Sequence, residues 1–286
     1  MIQMILHRTK TQVCSLRFVF ALTAYLVMVL LTVCTVGSGA GEESPETLLT
    51  MILHRNSARW LSSDSYVWIR IWDRAITGNY HTVVLAVLAP AVCVVPLTDE
   101  LGTQNYRFTV SRTGTRHWLL SYWCSAYLTA CCFILTGILC IAAVCAVCFP
   151  GASAPFLRAG SPGELGTFSG MMQFALNRSI FLLQYAPWVS CLCLTVGAWF
   201  ENPFAAICLP LVALFLGKEF AAGKFSQHPE QTVWLMFDTD KLIRPQRWFP
   251  QLANGTSAYW LLAVFGILNL VSLLLFCRIA KRRILQ

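Results

Sequence analysis

The sequence predicts an all-α integral membrane protein with six transmembrane helices, and two observations lead to this fold class. First, 57% of the 286 residues are hydrophobic and only 12% are charged, about half the charged share of an average soluble domain. Second, the apolar residues fall in long runs without charge, and a helix needs about 20 such residues to cross a hydrocarbon core of about 30 Å. A soluble fold could not keep this much apolar surface away from water.

The six predicted spans are the charge-free apolar stretches at residues 18–36, 82–97, 118–149, 181–200, 203–217 and 259–277. The second and the fifth are shorter than the usual span of about 20 residues. The third is longer, which requires either a tilt or a projection of its first turns from the membrane. Pro90 and Pro210 fall inside predicted spans, where proline kinks a helix.

Basic residues near the ends of the spans predict the orientation. The N-terminal segment carries Arg8, Lys10 and Arg17 without an acidic residue, and the tail from residue 278 to 283 is equally basic. Because Lys and Arg accumulate on the cytoplasmic side, both termini are predicted to be cytoplasmic. The chain is then a single transmembrane domain, 1–286, with a cytoplasmic segment at 98–117 and external loops at 37–81, 150–180 and 218–258.

Composition also excludes other classes of protein. The net charge of +8 does not indicate nucleic acid, because the basic residues flank apolar runs as they do in proteins that touch anionic lipid. No zinc-finger or RNA-binding signature is present. Most of the 13 cysteines lie in or beside apolar runs and are expected to pack as small apolar side chains. Cys191-x-Cys193 and Cys131-Cys132 have no nearby histidine, so no metal site is predicted.

The chain carries no motif for bond-making chemistry. It has no G-x-x-x-x-G-K-[ST] pattern, so it is not expected to bind ATP through a P-loop, and it is predicted not to be an enzyme. The predicted spans contain no Asp, Glu, Lys, Arg or His, whereas ion-coupled carriers place ionisable groups at mid-membrane. The sequence therefore argues against a proton antiporter or a cation channel and favours a protein whose energy comes from a separate chain.

A polar segment with the sequence DELGTQNYRFTVSRTGTRH, residues 99–117, separates the second and third spans. Gly102 can end or bend the preceding helix, and the hydroxyl of Thr103 can cap the next one. Residues 104–110 are enough for a short helix, and Gly114 allows a sharp turn before the third span. The pattern predicts a short cytoplasmic helix between two membrane-spanning ones.

This segment resembles that of the permease subunits of ABC-2 type transporters, with the type V exporter-like architecture. In that family an acidic-Gly-Thr stretch and a Ser-Arg-x-x-x-Arg stretch lie between the second and third of six helices. Here DELGT occupies 99–103 and SRTGTR occupies 111–116. The likeness in topology covers nearly the whole chain, and the motifs cover only 99–116. Family members often carry a lysine early in the third helix, where this chain has Tyr122 and Trp123.

The resemblance implies a half-transporter that works with a second permease subunit, either the same chain or a related one, and with two P-loop ATPase subunits. ATP and Mg²⁺ would be bound by the ATPases, and this chain would need no cofactor. The segment at 98–117 would be a coupling helix in a groove of the ATPase. By resemblance, the contact residues would be Glu100, Gly102, Thr103, Tyr106, Arg107, Arg112 and Arg116. The physical alternative for the arginines is lipid phosphate.

The expected function is ATP-driven export of an amphiphilic or hydrophobic substrate, such as a peptide antibiotic, a lipid-like molecule or a drug, across a plasma membrane of bacterial type. Two alternatives stay open. One is a non-transporting membrane scaffold or an assembly subunit of another membrane complex. The other is an intramembrane enzyme acting on lipids, for which His228, Asp238 and Asp240 are the candidate polar groups. A nucleic-acid partner is not expected.

Overall fold

The computed structural model describes residues 1–37, 43–53, 68–76, 81–149, 168–200, 202–227 and 256–285. These residues form ten helices and one two-stranded sheet. The strands are β1 (Val33–Gly37) and β2 (Glu43–Thr47). The helices are α1 (Ile2–Val13), α2 (Leu16–Leu30), α3 (Leu48–Leu53), α4 (Trp68–Ile76), α5 (His81–Gly102), α6 (Tyr106–Thr113), α7 (Thr115–Cys148), α8 (Phe168–Phe200), α9 (Pro203–Gln227) and α10 (Thr256–Leu285).

Five of these helices contain stretches long and apolar enough to cross a membrane. The stretches are His81–Gly102, Thr115–Cys148, Ser179–Phe200, Pro203–Phe220 and Ala263–Ile284. The chain bends by 56° between α1 and α2. The two helices form a sixth candidate span if they are counted together. The described helices therefore fit a multi-pass membrane protein, as the composition predicts.

The first predicted span, residues 18–36, is wrong at its C-terminal end. Helix α2 stops at Leu30, and the chain continues as β1, which pairs antiparallel with β2 so that Val33 lies opposite Thr47. This part of the chain is rich in β-branched side chains, namely Thr32, Val33, Thr35 and Val36. Such side chains favour an extended chain. The 15 residues of α2 rise only about 22 Å, less than the membrane core.

Several helices extend past the apolar runs that predicted them. Helix α8 begins at Phe168 and α9 continues to Gln227, so residues 168–180 and 218–227 are helical and not part of loops as predicted. The prediction ended each span at the first charge, but Lys and Glu are good helix formers and do not end a helix. Helix α7 has 34 residues and rises about 51 Å, so it projects beyond a core of about 30 Å.

The described chain divides into two compact units. The first consists of residues Met1–Thr23, Thr82–Leu135 and Phe181–Gln286. Within it α5, α8 and α9 approach closely at Gly197, where an added Cβ would lie 3.2 Å from Val94 and 3.4 Å from Ala206. Small residues allow this approach between membrane helices. Helices α2 and α7 meet through Phe18 and Phe133, whose rings pack edge to face at 5.7 Å.

The second unit consists of residues Ala24–His81 and Thr136–Ile180 and is organised around Tyr25. This side chain is fully buried, and its hydroxyl lies 3.1 Å from His81 Nε2. Gly137 of α7 faces the same ring: a Cβ added there would lie 2.9 Å from Cδ1 of Tyr25 and closer still to Cε1. The absence of a side chain at Gly137 thus allows α2 and α7 to pack against each other.

We predict that Gly137→Ala destabilises the protein, because the new methyl group overlaps a buried ring that is held in place by its contact with His81. Overpacking of this kind costs about 1–3 kcal/mol, which lowers the melting temperature by several degrees. The measurement is thermal unfolding of the purified protein in mild detergent. Gly266→Ala is the matched control, since no atom lies within 4 Å of the added Cβ in helix α10. Equal melting temperatures for the two variants would contradict the packing argument.

Candidate functional site

The polar segment between α5 and α7 contains the short helix α6, Tyr106–Thr113. The structure thus confirms a short helix here, although it begins two residues later than the sequence predicted and ends three residues later. Gly114 has a φ of 82°, and its N–H donates to the carbonyl oxygen of Val110 at 2.8 Å. A left-handed φ favours glycine, so the sharp turn before α7 depends on this residue.

Thr103 does not cap α6, and that prediction is wrong. The N-cap position is taken by Asn105, which makes no side-chain capping bond. The Thr103 hydroxyl donates instead to the carbonyl oxygen of Asp99 at 2.7 Å. Threonine often bonds back to the carbonyl four residues earlier when it lies at or near the end of a helix. Its side chain therefore closes the end of α5.

The structure divides the seven predicted contact residues into an exposed group and an inward-facing group. Tyr106 is buried, with 8% of its surface exposed, and the side chain of Glu100 is 19% exposed. The other five are exposed: Gly102, Thr103, Arg107, Arg112 and Arg116. The surface that a partner could reach is therefore formed by α6 and the exposed residues on either side of it, and not by the side chains of Glu100 and Tyr106.

Glu100 and Tyr106 join the segment to the first turns of α7. The carboxylate of Glu100 accepts hydrogen bonds from Trp118 Nε1 at 3.0 Å and from the hydroxyl of Tyr122. The ring of Tyr106 packs 6.1 Å from the ring of Trp118, measured between centroids. Trp118 itself is fully buried. These contacts fix the end of α5 and the start of α6 to the same buried tryptophan.

A cation from the N-terminal helix completes this group. The guanidinium carbon of Arg8 lies 3.6 Å from the centroid of the Tyr122 ring and 5.8 Å from that of Trp118. Arg8 Nη2 is 3.6 Å from Glu100 Oε1, and the Arg8 side chain is only 15% exposed. A counter-charge beside a mostly buried cation lowers the cost of its burial, and aromatic faces add attraction for a cation. We call Arg8, Glu100, Trp118 and Tyr122 the Arg8 cluster.

Helix α1 has a second polar attachment one turn further along. Gln12 is buried, with 7% of its surface exposed, and its Oε1 accepts a hydrogen bond from the hydroxyl of Thr129 at 2.7 Å. Sequence analysis assigned Arg8 to a lipid-facing flank and did not single out Gln12. No local pattern could have revealed these contacts, because the partners are about one hundred positions away in the chain.

Asp99, the neighbour of Glu100, provides a contrast within the same turn. Its Oδ2 lies 3.3 Å from Arg17 Nη2, but the two side chains are 57% and 53% exposed. Water screens such a pair, and exposed ion pairs contribute about 0–1 kcal/mol. The two adjacent carboxylates therefore have different roles: Glu100 holds helices together, and Asp99 adds little to stability.

Phe108 is a residue of the site that sequence analysis missed. It lies on α6 and is 75% exposed, beside the exposed side chains of Arg107, Ser111 and Arg112. The available signal was a large apolar side chain in a segment that is mostly polar. A large exposed apolar side chain on the same short helix as exposed cations is an arrangement suited to a protein partner.

Other candidate sites receive no support from the described residues. Within the described ranges no group of three or more His, Cys, Asp or Glu side chains could hold a metal ion. His228, Asp238 and Asp240, the candidates for lipid chemistry, lie outside the described residues. Comparisons with models of known protein families, with curated proteins and with solved structures found no match.

We predict that Glu100→Gln destabilises the protein much more than Asp99→Asn does. Loss of the Glu100 charge leaves Arg8 mostly buried without a carboxylate, at a cost of about 1–3 kcal/mol. The Asp99 change removes only an exposed pair, worth at most about 1 kcal/mol. Both substitutions replace one oxygen by a nitrogen in adjacent residues, so each controls for the other in thermal unfolding. Similar losses from the two variants would show that the Arg8 cluster does not hold the helices.

Proposed function

We propose that this chain is the permease subunit of an ATP-binding-cassette transporter of the ABC-2 type. A separate P-loop ATPase would dock on the segment at 98–117 and drive export of an amphiphilic or hydrophobic substrate. The observation that carries the proposal is the exposed basic helix α6, attached at both ends to apolar helices. Both termini and α6 would then face the cytoplasm of a plasma membrane, such as the bacterial cytoplasmic membrane.

The charge and shape of α6 support a protein partner. Arg107, Arg112 and Arg116 are exposed cations on or beside this helix, and Phe108 of the same helix is exposed as well. Arginine pairs with carboxylates through two parallel hydrogen bonds, so the complementary surface would be acidic with an apolar slot for the phenyl ring. Lipid phosphates are the alternative partner for the arginines.

The attachments of α6 suit the transmission of force. Tyr106 packs on Trp118, and Trp118 donates to Glu100, which in turn contacts Arg8 of α1. A displacement of α6 would therefore move the ends of α5 and α7 and the N-terminal helix together, as a rigid body. In the proposed cycle, ATP binding closes the ATPase pair, the two coupling helices follow, and the spans change between inward- and outward-facing arrangements.

Two further features fit a half-transporter that receives its energy from outside. The apolar runs inside the spans carry no Asp, Glu, Lys, Arg or His, so a substrate would meet mainly apolar and aromatic side chains. Only 11% of the α9 span and 28% of the α10 span are buried within this chain. Those helices leave apolar surface for lipid and for the second permease subunit, which membrane helices bind through close packing.

We predict that the tagged chain, purified in mild detergent, retains a P-loop ATPase and that Arg112→Glu combined with Arg116→Glu removes it. The reversed charges would repel the acidic surface that the wild-type arginines attract. Mass spectrometry of the co-purified proteins is the measurement. The matched control is Lys281→Glu combined with Arg282→Glu, which reverses the charge of two exposed cations of α10. These two residues are distant from α6 in the sequence.

The outcomes of this experiment separate the proposals. An ATPase lost only from the α6 variant supports both the transporter and its docking site. An ATPase retained by that variant would keep the function and move the site. The absence of any ATPase from the wild-type preparation would contradict the transporter and favour a membrane scaffold.

We also predict that Phe108→Ala weakens binding of the ATPase by about tenfold, since a truncated aromatic anchor typically costs more than about 1 kcal/mol. The phenyl group is 75% exposed in the isolated chain, so its loss leaves the fold intact. The measurement is the dissociation constant of the purified subunits in detergent. Ser111→Ala is the control on the same helix, because its hydroxyl only donates back to the Phe108 carbonyl. Equal affinities for the two variants would exclude Phe108 from the contact.

A further inference from the structure

A cavity of about 480 Å³ lies where α1 bends into α2, beside the Arg8 cluster. Its walls come from the end of α1, the start of α2, the second half of α5 and one side chain of α7. The residues that matter for its chemistry are His7, Arg8, Leu16, Arg17, Glu100 and Tyr122. The lining thus combines charged and polar side chains with the apolar side chain of Leu16 at the start of α2.

The two arginines of the cavity retain hydrogen-bonding capacity. Arg8 Nη1 is buried and has no hydrogen-bond partner among the described residues, while Nη2 lies 3.6 Å from Glu100, beyond normal hydrogen-bond length. Arg17 contacts Asp99 at 3.3 Å in an exposed pair, which uses one of its five donors. Glu100 and Asp99 each face one of these guanidinium groups, and both arginines keep donors that these carboxylates do not use.

Phosphate is the anion that fits these groups best. A guanidinium presents a planar fork of donors that matches the oxygens of a phosphate, and such charge-assisted bonds are the strongest that arginine makes. A phosphate oxygen in the cavity would give the incompletely bonded Arg8 an acceptor. It would also draw on the free donors of Arg17.

An apolar surface begins at the same cavity. Leu16 lines it and is 75% exposed, and Val19 and Phe20, which come next on the same face of α2, are 54% and 72% exposed. Residues three and four positions apart lie on one side of a helix. In a membrane this stripe contacts acyl chains, so a ligand that fills both regions has a phosphate head and hydrocarbon tails.

We propose that this cavity binds the headgroup phosphate of an anionic glycerophospholipid, with the acyl chains along Leu16, Val19 and Phe20. A free phosphate compound would satisfy the arginines and leave the apolar stripe without a role. The bound lipid would bridge α1, α2 and α5 beside the Arg8 cluster, and thereby fix the N-terminal helix against the spans. This site is independent of the proposed transport function, because it needs no ATPase.

The test uses the full chain in mild non-ionic detergent, washed free of lipid, and native mass spectrometry to count bound ligands. Three probes share parts of one structure: dioctanoyl phosphatidylglycerol, dioctanoylglycerol without the phosphate, and glycerol 3-phosphate without the chains. The proposal expects one saturable site for the complete lipid and much weaker binding of either part. Equal binding of dioctanoylglycerol would overturn the role of the phosphate. Equal binding of glycerol 3-phosphate would replace the lipid by a free phosphate ligand.

Arg17→Gln locates the site. Arg17 is exposed on the protein surface, so its substitution preserves the fold, and the loss of a charge-assisted bond is expected to weaken binding of the complete lipid by roughly tenfold. Lys281→Gln removes one exposed cation from α10 and is expected to leave that affinity unchanged. Equal affinities of the two variants would overturn the assignment of the cavity.

Discussion

The carboxylate of Glu100 joins α1, α5 and α7, and the attachment of α6 depends on it. It belongs to α5, it accepts hydrogen bonds from two aromatic side chains of α7, and it faces the guanidinium of α1. Removing a carboxylate from water is costly unless donors and a counter-charge replace the lost hydration. The three helices must therefore stay together for any one of these groups to be buried, which makes the cluster a cooperative attachment.

This attachment determines what the α6 segment can do. A short helix of eight residues has little stability by itself, because helix nucleation is unfavourable and few hydrogen bonds repay it. Here its first residue, Tyr106, is packed on Trp118, and its end is turned sharply by Gly114. The exposed face is thereby held in a fixed orientation. A partner that binds such a preordered helix loses less conformational entropy than one that binds a flexible loop.

The spans could be predicted from the sequence because the membrane requirement acts locally. About twenty apolar residues without charge suffice to indicate a span, and five such helices are present among the described residues, with α1 and α2 as a bent sixth candidate. The errors occur where other forces act. The β-branched residues after Leu30 ended α2 early, and charged helix formers extended α9 and α10 beyond their apolar runs. The motif that placed Glu100 and Tyr106 on a contact surface could not distinguish inward-facing from outward-facing side chains.

The Arg8 cluster was beyond prediction for a different reason. Positive residues before a first span are usually explained by their contact with lipid headgroups, and that explanation is complete for Lys10, which is exposed. Arg8 differs only because the fold brings Glu100, Trp118 and Tyr122 to it. Arg17, nine positions further on, pairs with the neighbouring Asp99 and remains at the surface. The same sequence signal thus has three structural outcomes, and the choice between them is made by tertiary contacts.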